Sequence, residues 1–382
     1  MDAIISDIIR CLLMRYSFTL LVCLLTLAPL MSAQSLVDRG KNAERQGLYD
    51  LAEKYYRQSV DSSHEARVLL GILLERKEHF SEASHWLASG DSGALALTHL
   101  AICQAELYRW AEARHTAQCA IEATDTGAHT LRADAMATLA LTYCHDENYT
   151  NALLWAHRAL NENPHSARAH NVVGIIEFRK GNENEAIRSF KEALKVDSRN
   201  IDAHFNLGAV YCYRNRYELA ISTLKSGLKV ERNSVKLIYC LGWAYLLKGE
   251  NEHAVECLES VVRYDSNYVD AYNRLGDIRY EQGDFNQAIA HYRKATQVAP
   301  YHSEGYRLLG RAYLAKGQTN KALRNYQKAI EINNKDSEAY YQLALLYSQQ
   351  KQSKKELANY KRAAKLGHRE AQKWCVKKGV EY

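Results

Sequence analysis

The chain has 382 residues, 47% of them hydrophobic and 25% charged, with a formal net charge of +6, and so has enough apolar side chain to bury a core. Only 3 prolines occur and the 19 glycines are spread out. That poverty of breakers excludes a turn-rich all-β chain and favours long helices, because proline removes a donor and clashes inside a helix.

Residues 1–33 read as a secretory signal peptide. From Met14 the sequence runs "MRYSFTLLVCLLTLAPLMSAQS": one positive charge, Arg15, an apolar run from Phe18 to Met31, then the small pair Ser32-Ala33. This layout predicts cleavage after Ala33, although Met31 departs from the small-residue pattern. Asp2 and Asp7 do not suit a basic leader, so Met14 reads as the start. An uncleaved anchor is the alternative, but the apolar run is shorter than the ~20 residues a spanning helix needs. Cys23 lies inside the run and not after it, against a lipoprotein. The expected location is exported: periplasmic or envelope-associated, or secreted.

Residues 34–132 carry degenerate repeat units. Gly40 and Ala52, Gly71 and Ala83, and Ala101 and Ala113 are each twelve apart. The steps from Gly40 to Gly71, Ala101 and Ala140 are 31, 30 and 39 residues. The extra residues of the last step fall in "TDTGAHTLRADA", which predicts a lengthened turn around Gly127.

Residues 133–368 form a regular array. A small residue recurs every 34 positions at Ala140, Gly174, Gly208, Gly242, Gly276, Gly310 and Ala344. Twelve residues after each stands an alanine, Ala152, Ala186, Ala220, Ala254, Ala288 and Ala322, until Glu356 breaks the rule in the last unit. Four further on comes a large residue: Phe190, Leu224, Leu258, Tyr292, Tyr326. The expectation is a helical hairpin in which the first small residue faces the alanine across two antiparallel helices, letting the axes approach, while the large residue fills the wedge between neighbouring hairpins. Asp, Asn or Gly before the second helix ("GDFNQA", "GNENEA") supply a turn and an N-cap. Such a hairpin cannot cover its own apolar face, so units must stack. Residues 369–382 read as a capping helix and tail, with Trp374 packed inward.

The 34-residue period, the L-G-x-x-Y of Leu207-Gly208-Tyr211, Leu241-Gly242-Tyr245 and Leu309-Gly310-Tyr313, and the paired alanines closely resemble the tetratricopeptide repeat (TPR) family. The resemblance implies an all-α fold, an α-α superhelix (TPR solenoid) of about ten helix–turn–helix units whose first helices line a concave groove. Helical spacing from the glycine rung gives the groove-facing candidates: Asn171, Phe205, Asn206, Lys236, Tyr239, Trp243, Asp270, Asn273, Arg274, Asp277, Tyr280, Arg307, Arg311 and Tyr341. Aromatic and arginine side chains are the types that anchor peptides in grooves. Trp243 and Tyr239 have packing between hairpins as the alternative; Asn206, Arg274, Arg307 and Arg311 read as exposed, since burying an unpaired arginine is expensive. Some TPR co-chaperones clamp a terminal carboxylate with Lys and Asn of three successive units. Asn206 and Lys236 match that pattern, but Asn171, Ile175 and Cys240 depart from it, so this ligand is not expected.

No G-x-G-x-x-G, G-x-S-x-G, G-x-x-x-x-G-K-[ST] or H-E-x-x-H motif occurs, the 15 histidines are scattered, and the cysteines show no C-x-x-C or zinc spacing. No enzyme, cofactor or metal is therefore expected. Seven cysteines follow residue 33, an odd number that leaves at least one thiol unpaired in a monomer; they read as small core residues. From Lys351 to Lys378 stand ten Lys or Arg and two Glu, a net of +8 that leaves the rest of the chain at −2. This basic cap suits an acidic partner or an anionic envelope surface; nucleic acid is not expected, since no aromatic platform interleaves the charge. The sequence thus reads as a non-enzymatic scaffold binding a protein or peptide in its groove and supporting an envelope or secreted complex. The alternatives are a surface-exposed or secreted factor that engages other cells, and an enzyme with an unrecognised site built across units.

Overall fold

Every regular element that the computed structural model describes is an α-helix. The described residues are 35–90, 93–125 and 127–382; the expected signal peptide, 1–33, lies outside them. The helices pair into hairpins: α1 (35–45) with α2 (Tyr49–Arg57), α3 (His64–Arg76) with α4 (Phe80–Ala88), α5 (Ala94–Glu106) with α6 (Trp110–Ala123), α7 (His129–His145) with α8 (Tyr149–Glu162), and α9 (Ala167–Arg179) with α10 (Glu183–Val196). There follow α11 (Ile201–Tyr213) with α12 (Tyr217–Val230), α13 (Val235–Lys248) with α14 (Asn251–Tyr264), α15 (Val269–Glu281) with α16 (Phe285–Val298), α17 (Ser303–Ala315) with α18 (Thr319–Ile332), and α19 (Ser337–Gln349) with α20 (Ser353–Lys365). The last helix, α21 (Arg369–Lys377), closes the array. The chain divides at Ala203–His204 into two units, each a stack of such hairpins.

The alanine ladder is the innermost feature of both units. Ala52, Ala83, Ala113, Ala152 and Ala186 in the first, and Ala220, Ala254, Ala288 and Ala322 in the second, are all fully buried. The glycine ladder differs from expectation. A methyl placed on Gly174 would lie 2.5 Å from the Phe190 ring, one on Gly208 2.7 Å from Leu224, and one on Gly310 3.0 Å from Tyr326. Gly40, Gly71 and Gly276 meet Tyr56, Leu87 and Tyr292 in the same way. The glycine therefore seats the large side chain sixteen residues on, within its own hairpin, and Tyr292 and Tyr326 also share a buried cluster with the first helix of the next hairpin. What the alanine brings to the glycine is its backbone: the Ala83 carbonyl lies 3.3 Å from a methyl built on Gly71. Where the first rung is Ala101 or Ala140, the residue sixteen on is also alanine, Ala117 or Ala156, each fully buried in the same cluster as its partner. In these two hairpins a methyl on each side closes the contact; the last hairpin departs from this, Ala344 and the large Tyr360 being buried in one cluster.

A further ladder sits in the turn between the two helices. Glu147, Gly181, Asn215, Gly249, Gly283, Gly317 and Lys351, 34 apart, all have φ between 57° and 87°. The left-handed conformation ends the first helix, and glycine adopts it without a Cβ clash. Glu147 and Lys351 bear the strain of an L side chain there, about 1–2 kcal/mol. Replacing Glu147 with Gly is thus expected to stabilise the protein by roughly 1 kcal/mol, read as a rise in Tm in a thermal melt; an unchanged or lowered Tm would contradict this. Second-helix caps form at Asn148 and Asp284, whose side chains accept from the Asn151 and Gln287 amides, but Asn182 makes no such cap.

The insertion before residue 133 is also resolved. Instead of only lengthening the turn, it extends α7 by about one helical turn, so that α7 has 17 residues where α9 has 13. At the C-terminus, α21 buries Ala371 and Cys375 against α20, and Trp374 stacks on Tyr360 at 4.0 Å between ring centroids.

Candidate functional site

The period of the array brings residues 34 apart onto neighbouring first helices at the same height, so opposite charges in matching positions meet. Asp277 on α15 and Arg311 on α17 are such a pair, the Arg311 guanidinium donating to Asp277 Oδ1 at 2.7 Å. Tyr292, whose ring fills the Gly276 notch, donates its hydroxyl to the same Oδ1 at 2.7 Å and accepts from Arg311 at 3.2 Å. The Arg311 guanidinium also lies over the Tyr280 ring, 4.4 Å from its centroid. Burial and the neighbouring Asp277 carboxylate push the Tyr292 hydroxyl above the ordinary phenol range. Burial opposes the charge on Arg311, but the bond to Tyr292 and the Asp277 carboxylate outweigh it and raise the guanidinium.

Around this centre the second unit gathers most of the candidates. Arg274 lies 3.5 Å from Asp277 Oδ2, and burial opposes its charge while the neighbouring Tyr239 and Asp277 raise the guanidinium. The Tyr239 ring packs on Tyr268 at 4.9 Å, and burial raises its hydroxyl despite the arginine. Arg307 lies 3.5 Å from both Glu304 and Asp336. Lys236 sits 5.3 Å over the Phe205 ring. Asp270 is exposed, while Asn206 and Trp243 are half-buried. Tyr341 is taken up by the terminal hairpin, stacked on His368 at 4.2 Å. Asn171 belongs to the first unit and is 7% exposed. Of the carboxylate-clamp positions, Cys240 is buried, and the neighbouring Cys212 thiol together with burial pushes it up, while Cys212 is held down by Cys240.

Asn273 stands apart. It shares a face of α15 with Asp277 and Tyr280, four and seven residues on, yet it is only 5% exposed and neither its amide oxygen nor its nitrogen has a hydrogen-bond partner within the chain. Arg311 Nε is likewise buried without a partner. Leaving a buried polar group unpaired costs about 1–3 kcal/mol, so both weigh on the stability of this part of the second unit. Sequence spacing named Asn273, Asp277 and Arg311 but missed Tyr292 and Asp336; the tyrosine's place on the large-residue ladder, sixteen after Gly276, was the available signal. Among the described residues no three His, Cys, Asp or Glu side chains gather as metal ligands, and the seven described cysteines are free thiols.

Comparison with known proteins agrees with this architecture. Models described as tetratricopeptide repeat match residues 267–335, 325–358 and 235–268, and one described as TPR repeat matches 174–212. The chain belongs to the tetratricopeptide repeat family, whose hairpin stacks are protein-interaction scaffolds. Among solved structures, that titled "Crystal structure of APC/C hetero-tetramer Cut9-Hcn1" shares the fold over 94% of this chain and 99% of its own, at 14% identity and a TM-score of 0.50. The structure titled "Crystal structure of MamA" is 30% identical over 44% of this chain and 97% of its own, with a TM-score of 0.40. That titled "Crystal structure of YrrB: a TPR protein with an unusual peptide-binding site" is 24% identical over 48% of this chain and 95% of its own, with a TM-score of 0.38. No curated protein matches the chain.

Proposed function

We propose that this chain is a non-enzymatic scaffold that holds an extended peptide segment of a partner protein along the first-helix faces of its second unit. The observation that carries the reading is the Arg311 guanidinium, part-exposed yet held in place by Asp277 and Tyr292 and laid over the Tyr280 ring. An extended peptide presents backbone C=O groups, to which a guanidinium fixed in this way can donate. Arg311 over Tyr280, and Arg274 beside Asp277, supply aromatic and guanidinium anchors on this face. Because these anchors are already held in place by Asp277 and Tyr292, binding orders little of the scaffold, which favours affinity. We further propose that the scaffold works in an exported, envelope-associated complex; the apolar run from Phe18 to Met31 followed by Ser32-Ala33 supports this part.

The test is selection of peptides from a displayed random library on the intact chain, followed by titration calorimetry. Arg274→Ala, and separately Arg307→Ala with Arg311→Ala, are expected to weaken the selected peptides by tenfold or more, about 1.4 kcal/mol, with the helical signal unchanged. Equal affinity for all three chains would place the peptide elsewhere.

A further inference from the structure

We infer that the C-terminal cap, α20 and α21, is a docking face for a bilayer that carries anionic lipids, a surface separate from the peptide face proposed above. In the first unit several cations are paired within the protein: Lys41 pairs with Glu65, Arg57 with Glu53 and Glu82, Lys77 with Asp50 and Glu53, and Arg114 with Asp146. The cap is built the other way. Lys354, Lys361, Lys365, Arg369, Lys373 and Lys377 form no ion pair with any described residue, and the two carboxylates of the stretch are engaged elsewhere, Glu356 by the Ser348 hydroxyl at 2.9 Å and Glu370 near His368 at 3.4 Å.

Helical spacing sorts these charges onto outward stripes. On α21, Arg369, Lys373 and Lys377 recur every four residues, opposite the buried Ala371 and Cys375. On α20, Lys354, Lys361 and Lys365 fall seven and four apart, away from the buried Tyr360, Ala363 and Ala364. Val376 stands among the α21 cations and is 72% exposed.

The chemistry of the patch selects among anionic partners. Eight of its ten cations are lysines, compact point charges without the planar fork by which arginine recognises a particular carboxylate or phosphate. Lysine is depleted at the core of protein interfaces, where aromatic and arginine anchors prevail. Single-stranded nucleic acid needs exposed rings on which bases stack, whereas Trp374 and Tyr360 here stack on each other. What remains is a diffuse, non-directional attraction to a surface of many negative charges, the character of an anionic leaflet, with the exposed Val376 available to the headgroup layer. Among the described residues no helix is long and apolar enough to cross a membrane, so the contact is peripheral.

The experiment is flotation of the full chain with vesicles of phosphatidylcholine alone or with 30% phosphatidylserine, at low and high salt. The apolar run of residues 18–31 is common to all variants and responds to neither headgroup charge nor salt, so it cancels in the comparison. Wild type is expected to favour the anionic vesicles and to lose that preference at high salt. The triple variant Arg369→Gln, Lys373→Gln, Lys377→Gln is expected to lose about a hundredfold in partitioning, at roughly fivefold per charge. These positions are exposed, and an unchanged circular dichroism spectrum and Tm verify the fold. The Arg307→Ala, Arg311→Ala chain is expected to float like wild type, which keeps this result independent of the peptide face. Equal partitioning to the two kinds of vesicle, or a triple variant that binds as wild type, would overturn the inference; so would capture of the chain by polyglutamate without any preference for anionic vesicles, which would make the partner an acidic polypeptide.

Discussion

Gly174→Ala is expected to unfold at lower denaturant than the wild type, by about 1–3 kcal/mol, while Gly242→Ala is expected to be neutral or slightly stabilising. The same chemical change at the same repeat position thus has opposite outcomes. A methyl on Gly174 arrives 2.5 Å from the Phe190 ring, and that ring is 1% exposed, with no room to retreat. The clash is paid in displaced neighbours or strained rotamers. At Gly242 the nearest atom is Cys257 Cβ at 3.1 Å, with Leu258 at 3.5 Å. There a small adjustment admits the methyl, and the lower backbone entropy of alanine in the unfolded chain is worth about 0.4–1 kcal/mol. Equilibrium urea unfolding separates the two. A double-mutant cycle tests the cause: Phe190→Ala alone removes a packed ring, at about 3–5 kcal/mol, but in the Gly174→Ala background the new methyl occupies part of that space, as at Ala140 and Ala156. The two substitutions are expected to couple favourably by at least ~1 kcal/mol. Simple additivity would mean that the glycine does not seat the ring.

Asp277→Ala is expected to cost about 1–3 kcal/mol in stability and also to weaken any peptide held by Arg311. The carboxylate is the shared acceptor of Tyr292 and Arg311. Without it the hydroxyl of a fully buried tyrosine retains only the bond it accepts from Arg311, and its own proton has no acceptor. The guanidinium is released from its position over Tyr280. Asp277→Asn keeps an oxygen in place and loses only the charge, so it is expected to fall between wild type and Asp277→Ala. Urea unfolding of the three chains gives that order; an Asp277→Ala chain as stable as wild type would show that the cluster is solvated and carries no structural weight. Tyr292 makes this site unlike its counterparts at Phe190 and Leu224, which fill the same notch without a polar tip. A core-packing residue here also organises charge on the binding face.

Much of this was legible from residue spacing. A period of 34 and a second small residue twelve later define a hairpin whose apolar face requires a neighbour, and a stack follows because local periodicity and burial obey the same helical geometry. The candidate face was legible for the same reason: Asp277 and Arg311 stand one period apart, and a repeat of fixed length puts such residues side by side. The direction of packing was not. Spacing alone assigns Gly276 and Ala288 to one contact, but the side chain that reaches the glycine is Tyr292, because side chains lean toward the helix N-terminus and cover the turn before their own position. Nor could spacing show that Asn273 would be buried without partners, or that Arg369, Lys373 and Lys377 would find none while Lys77 found two. Partnering depends on which side chains reach across between helices, and only the assembled helices decide that.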